Sequence, residues 1–274
     1  MKLVSFSTSN RIQPGVLLDD GTVVDLSLSG HTNALAVIAS GLTKVPDGPI
    51  LQLIDVRLNA PISNPPRVFA IGLNYRDHAK ESGMEIPKTP VVFFKLTTAI
   101  IGPGDPIVLP VNSAEPDYEA ELAFVIGHGG FRIAAEDWHR HVYGYTIVND
   151  VSARDIQRQT SQWSLAKSFP TFCPMGPAIV TSDEVCDPHS LDIRLTIDGE
   201  VLQDSSTNQF VFQIPRLVEY ISSITPLLPG DIVSTGTPAG VGVGRTPKRW
   251  LRPGESVTIS IEHIGTLTNP VVAE

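Results

Sequence analysis

Asp117-Tyr118-Glu119-Ala120-Glu121-Leu122-Ala123-Phe124-Val125-Ile126 is the stretch on which the fold turns. Residues two apart on a strand share a face, so Glu119 and Glu121 project together, with Asp117 on the same side, while Ala120 and Leu122 face the other layer. Carboxylates converging beside Phe124-Val125-Ile126 repel one another and resist ionisation unless a cation neutralises them. Hard oxygen donors on a rigid strand suit Mg2+ or Mn2+, not zinc. The same alternation also fits an exposed acidic strand face.

Outward from this stretch, short β-branched or aromatic runs predict strands at Val68–Ile71, Val91–Lys95, Tyr145–Asn149, Ile193–Ile197, Ile232–Ser234 and Val257–Ile261. Ile193, Leu195 and Ile197 alternate with polar residues, as do Val257, Ile259 and Ile261, which marks half-buried strands. Upstream, Leu3–Phe6 and the Asp19-Asp20-Gly21 turn between Val16-Leu17-Leu18 and Val23-Val24 predict a strand and a hairpin. Helices are few: a short one at Ala34–Ala39, one near Ala134–His141, and one over Pro215–Ile224 with Leu217, Ile221 and Ile224 on one face. Three prolines in Asn59–Pro66 predict a linker between a small β-rich unit, residues 1–62, and a larger body, residues 67–274. The fold class is β-rich α+β.

The composition of the 274 residues narrows the partners: 42% are hydrophobic and 18% charged, enough to bury a sizeable core. Twenty Lys and Arg against 29 Asp and Glu give a net charge of −9. A basic nucleic-acid groove is not expected. No apolar run approaches the roughly 18 residues of a membrane span, and Met1–Arg11 is polar with no leader-like apolar core. Two cysteines, Cys173 and Cys186, make no disulfide framework. A soluble cytoplasmic protein is expected.

Further groups stand in contexts that fit chemistry or plain structure. Asp150 ends the Tyr145–Asn149 strand as a turn former or a ligand. Arg154 and Gln157, three apart after Ser152-Ala153, face one site or a solvated turn. His78 and Glu81 are neighbours on a short helix closed by Ser82-Gly83. A carboxylate beside an imidazole orients it and raises its basicity, though the pair also suits an exposed helix. Lys95 and Lys167 stand among apolar residues, so each snorkels to water or faces an acidic site. Ser234-Thr235-Gly236-Thr237-Pro238-Ala239-Gly240 lacks the Lys-Ser/Thr of a phosphate loop; its amides and the Thr237 hydroxyl fit a carboxylate better, or a turn cluster. His31, His128, His139, His141, His189 and His263 show no ligand spacing.

Together, Ile71-Gly72-Leu73-Asn74-Tyr75, His78, Glu81, Asp117–Leu122, Asn149–Gln157, Ala166-Lys167-Ser168-Phe169 and Ser234–Pro238 resemble the fumarylacetoacetate hydrolase superfamily in order, over about two hundred residues. The resemblance implies a rolled, mixed β-sheet body and a homodimer. It also implies Mg2+, Mn2+ or Ca2+ held by Glu119, Glu121 and Asp150. By the same carry-over, His78 with Glu81 activates water on a segment that closes over the site, and Lys167 polarises or protonates the departing enolate. Thr237 binds a substrate carboxylate, Arg154 and Gln157 line the pocket, and Lys95 lies near it. Where the namesake has a further metal-binding Asp, this chain reads Phe69-Ala70-Ile71-Gly72, and the namesake's large N-terminal domain is absent. The implied activity is hydrolysis of a C–C bond in an acylpyruvate or fumarylpyruvate. Alternatives on the same metal site are oxaloacetate-type decarboxylation and isomerisation of an unsaturated oxo-diacid such as 2-hydroxyhepta-2,4-diene-1,7-dioate. A catalytically silent binding homologue is the remaining alternative, and the intact His78, Glu81 and Lys167 argue against it.

Overall fold

A computed structural model describes residues 1–8 and 11–274; Ser9 and Asn10, in the polar opening segment, lie outside the described residues. The Ala120–Ile126 strand runs inside a twelve-stranded mixed sheet, antiparallel to Val142–Asn149 on one side and to Ile232–Ser234 on the other. All seven of its residues are buried, because both faces of the sheet are covered. Ala120, Leu122, Phe124 and Ile126 share a core with Ile193, Leu195, Val257 and Ile259 of a five-stranded sheet packed against this face. Ala123 and Val125 join a second core with Leu3, Val16 and Val37.

Strands of the first sixty residues continue the large sheet, since Lys2–Ser7 pairs with Cys173–Thr181 through Leu3 opposite Ile179. Thr22 donates its amide and hydroxyl to Asp20 at the predicted Asp-Gly hairpin. Asn59–Pro66 differs from a free linker. Asn59 ends a strand paired with Lys2–Ser7, Ala60, Pro61 and Ile62 are buried, and the Ser5 hydroxyl donates to the Pro61 carbonyl at 2.8 Å. Its prolines end strand pairing without loosening the chain.

Three further differences have local causes. The Ile214–Ile224 helix buries Ile214, Leu217, Val218 and Ile221, whereas Ile224 is exposed because the last turn runs past the core. The segment near Ala134–His141 forms a 3-10 helix, Ala135–Arg140, with no fully buried residue, and only Trp138 packs half-buried against the core. Cys173–Thr181, for which the sequence predicts no strand, is a central strand that contains Pro174, Gly176 and Pro177. Tyr145 and Ile147 of the partner strand pair with Val180 and Gly176, so the Cys173–Thr181 strand carries two extra residues there, a bulge that takes up Pro177. Among the described residues no helix is long and apolar enough to cross a membrane.

Candidate active site

The site opens where the Ala120–Ile126 and Val142–Asn149 strands end, as a cavity of about 500 Å3. Glu119 is pinned from both sides: its amide donates to Asn149 Oδ1, and its carbonyl accepts the Asp150 amide, both at 3.0 Å. This brace brings Glu119, Glu121 and Asp150 together, with one carboxylate oxygen from each lying within 4.8 Å of the others. All three are buried. Among the described residues they form the only such convergence of His, Cys, Asp or Glu.

Buried carboxylates persist only with partners, and the partners here are unequal. Lys167 Nζ lies 2.6 Å from Glu119 and 2.7 Å from Asp150. Lys95 Nζ reaches Asp150 at 2.6 Å, and the Arg154 guanidinium reaches Glu119 at 2.5 Å. Burial pushes the Glu119 carboxyl up, but the charges of Lys167 and Arg154 outweigh it and hold the group at about 2. Burial likewise disfavours the Lys167 ammonium, and Asp150 and Glu119 reverse that and keep it charged. Glu121 accepts only from neutral donors, the Ser234 hydroxyl at 2.6 Å and the Gly236 amide at 2.9 Å. Burial, then the charges of Asp150 and Glu119, push its carboxyl well above the usual range. A buried, oxygen-only donor set with one carboxylate lacking a counter-charge fits a hard divalent cation.

Opposite this cluster stands the Arg76–Glu81 helix. Tyr75 anchors its start edge-on to Phe210, with ring centroids 4.9 Å apart, and Asp77 accepts from the Ser205 hydroxyl at 2.6 Å. His78 is buried and lines the cavity, so the pair with Glu81 is not an exposed helix pair. Its Nδ1 sits 3.4 Å from Glu81 Oε2, a long contact, and Glu81 also accepts the Gly240 amide at 3.0 Å. No hydrogen bond engages Nε2 among the described residues. Gly83, with φ of 62°, follows the helix as expected of a C-terminal glycine.

Glu119, Glu121, Lys167, His78, Glu81, Arg154, Gln157 and Thr237 all face this one cavity. Three expectations are corrected. Asp117 does not share the acidic face: strand pairing breaks at Tyr118–Glu119, so the two-residue period does not carry across. Asp117 instead sits under Arg154, 2.8 Å from its Nε, and accepts the amides of Gly242 and Val243. Lys95 does not line the cavity. It lies behind Asp150, with its ammonium spent on Asp150 and on the Val151 and Lys167 carbonyls. The Gly-rich loop does meet carboxylates with its amides, but they are the protein's own, Glu121, Glu81 and Asp117. Gly236 is required there: at φ 94° a Cβ would come within 2.9 Å of Asn74 and of the Ile71 carbonyl. Cys173 is buried with its thiol pushed up to about 12, and it takes no part in the cavity.

Sequence reasoning missed Gln203, Asn149 as a brace, and the apolar wall of Phe93 and Trp163, whose rings meet edge-on at 5.6 Å. Asn149 carried a signal, standing beside Asp150 at a strand end; Gln203 carried none.

Residues 67–272 match the family described as fumarylacetoacetate (FAA) hydrolase C-terminal. The chain is 43% identical over 290 residues to a mitochondrial oxaloacetate tautomerase of Xenopus laevis, covering 99% of this chain and 90% of that one. It superposes with a TM-score of 0.91 and 38% identity on a fumarylacetoacetate hydrolase from Exiguobacterium antarcticum, over the full length of both. It also matches maleylpyruvate hydrolase from Sphingobium sp. SYK-6, solved with manganese(II) and pyruvate, at a TM-score of 0.84 and 30% identity, over 100% of this chain and 99% of that one.

Proposed function

We propose a reaction for this chain, which belongs to the fumarylacetoacetate hydrolase family, from the groups that face one another across its cavity. The protein is an enzyme acting on small 2-oxo diacids with Mg2+ or Mn2+, and its principal reaction is interconversion of the enol and keto forms of oxaloacetate. The observation that carries this is His78: it is the only histidine lining the cavity, and Glu81 occupies its Nδ1, so Nε2 is the nitrogen left for substrate. Proton transfer at the carbon beside a 2-oxo group needs one such base and a place for negative charge.

In the keto-to-enol direction, Nε2 of His78 takes a proton from carbon 3 and the electron pair moves to the 2-oxo oxygen. The same imidazolium returns the proton to that oxygen, so no atom is gained or lost. Glu81 stabilises the imidazolium between the two transfers. Lys167 and Arg154 stay charged and oppose the developing negative charge, while Thr237 and Gln157 orient the carboxylates. A divalent ion on Glu119, Glu121 and Asp150 would supply Lewis-acid charge at the 2-oxo oxygen. The relatives named oxaloacetate tautomerase support this order of preference over hydrolysis.

Hydrolysis of an acylpyruvate is the second reading, favoured by the likeness to maleylpyruvate hydrolase. There the His78–Glu81 pair deprotonates a water. The deciding experiment follows decay of the enol absorbance of oxaloacetate with Mg2+- or Mn2+-loaded protein, beside pyruvate release from an acylpyruvate by the same preparation. Faster enol decay without pyruvate release supports tautomerisation; pyruvate release without faster enol decay overturns it in favour of hydrolysis. A homodimer accompanies this reading by family resemblance, and a monomeric mass in light scattering at micromolar concentration would refute it.

A further inference from the structure

We propose that Gln203 is a positioning residue that fixes the Thr237 hydroxyl as a hydrogen-bond donor to a substrate carboxylate, an inference that rests on the placement of Thr237 in the substrate site. The Glu200–Ser206 strand reaches this position through a bulge. Leu195 pairs with Gln203 but Thr196 pairs with Val201, which leaves Leu202 as an extra residue. Leu202 and Gln203 are consecutive and both buried, where a regular strand would turn one of them outward. The bulge therefore aims an amide side chain out of the second sheet and onto the Thr237-Pro238 loop, behind the cavity.

The orientation of that amide is settled by its partners. Gln203 Oε1 lies 2.9 Å from the Ala120 amide, which can only donate. Nε2 then donates to the Pro238 carbonyl at 2.9 Å and to Thr237 Oγ1 at 2.8 Å. With its oxygen accepting, the Thr237 hydroxyl keeps its own proton, and no acceptor for that proton occurs among the described residues. Thr237 is buried and lines the cavity, so the unspent proton is available to a ligand. The loop has few other donors to offer: the amides of Gly236, Gly240, Gly242 and Val243 are taken by Glu121, Glu81 and Asp117. Without Gln203, nothing would occupy the lone pair of the hydroxyl, and the oxygen could turn that lone pair toward the ligand in place of its proton. Gln203 thus acts on specificity, favouring a carboxylate over a hydroxyl or an ammonium group.

The test is a double-substitution cycle read by calorimetric binding of oxalate, a non-reacting dicarboxylate, to the Mn2+-loaded protein. Thr237→Val should weaken oxalate by about tenfold or more, the worth of one hydrogen bond to a charged group, and Thr237→Ser should restore it. Gln203→Met should weaken oxalate by roughly three- to tenfold with Mn2+ affinity within about twofold of wild type. The double variant should bind oxalate no more weakly than Thr237→Val alone, because both remove the same donor. Additive losses, or a loss of Mn2+ affinity that matches the loss of oxalate, would reduce Gln203 to a brace of the Ala120 strand and overturn the proposal. Should Gln203→Met fail to fold, Gln203→Glu replaces it: it keeps an acceptor for Ala120, and any proton it carries goes to the stronger acceptor, the Pro238 carbonyl. Wild-type protein that binds no oxalate overturns this proposal and the substrate assignment together. A cycle that behaves as stated in a protein that does not accelerate oxaloacetate tautomerisation overturns the reaction alone.

Discussion

The two walls of the cavity are built to opposite standards. On the acidic wall each carboxylate is tied down repeatedly, Glu119 by Arg154 and Lys167 and Glu121 by Ser234 and Gly236, and so is Asp150, buried just behind it, by Lys95 and Lys167. On the facing wall His78 has a single side-chain partner, at 3.4 Å, on a helix of six residues. Buried charge is tolerated only when paired, so ligands must be over-determined. A base must keep one nitrogen unspent and exchange partners during the reaction, so it is held loosely. Rigidity and availability are separate requirements, and the fold assigns them to different elements.

Substitutions on the acidic wall should give the largest effects and should divide by charge. Glu121→Ala is expected to weaken Mg2+ or Mn2+ binding by on the order of 10²-fold or more while leaving stability close to wild type, since its partners are neutral. Glu119→Ala should weaken binding as much and also cost about 3–5 kcal/mol, because Lys167 and Arg154 lose a buried counter-ion. Metal calorimetry beside thermal unfolding separates the two, and equal stability in both variants would break the contrast.

His78→Ala comes next. It should lower kcat by roughly 10²–10⁴-fold with metal affinity unchanged, and Glu81→Gln should move kcat in the same direction by less. Near wild-type turnover in the His78 variant would place the base elsewhere. Lys95→Met acts from behind the site: left with Lys167 as its one counter-ion, Asp150 should lose orientation, and metal affinity should fall by about 10–100-fold while KM at saturating metal holds. A KM effect alone would return Lys95 to the substrate. The smallest effect is on pH. Burial and the charges of Asp150 and Glu119 raise the Glu121 carboxyl well above its usual range, so over the range in which it titrates a cation must displace a proton to bind. Metal affinity should therefore rise with pH, by up to about tenfold per unit, until Glu121 is ionised, and calorimetric heats should depend on the buffer. Affinity that is flat with pH would contradict this.

That the candidate residues share one cavity is implied only by the family resemblance; the chain's local pattern alone predicts the alternating strands, the Asp20-Gly21 hairpin and two neighbouring pairs of side chains. Each of these is written in local periodicity or in a short spacing, such as Glu119 to Glu121 or His78 to Glu81. What stands behind them depends on contacts between segments far apart in the chain. Asp117 left the acidic face because strand pairing breaks at Tyr118, and Lys95 turned out to hold Asp150 from a strand 55 residues away. Cys173–Thr181 is a central strand because a bulge at Pro177 lets it pair with a strand on each side. Gln203 reached the site through a bulge on a second sheet. Pairing, register and bulges are set by contacts between segments distant in the chain, and no local pattern of residue types records them.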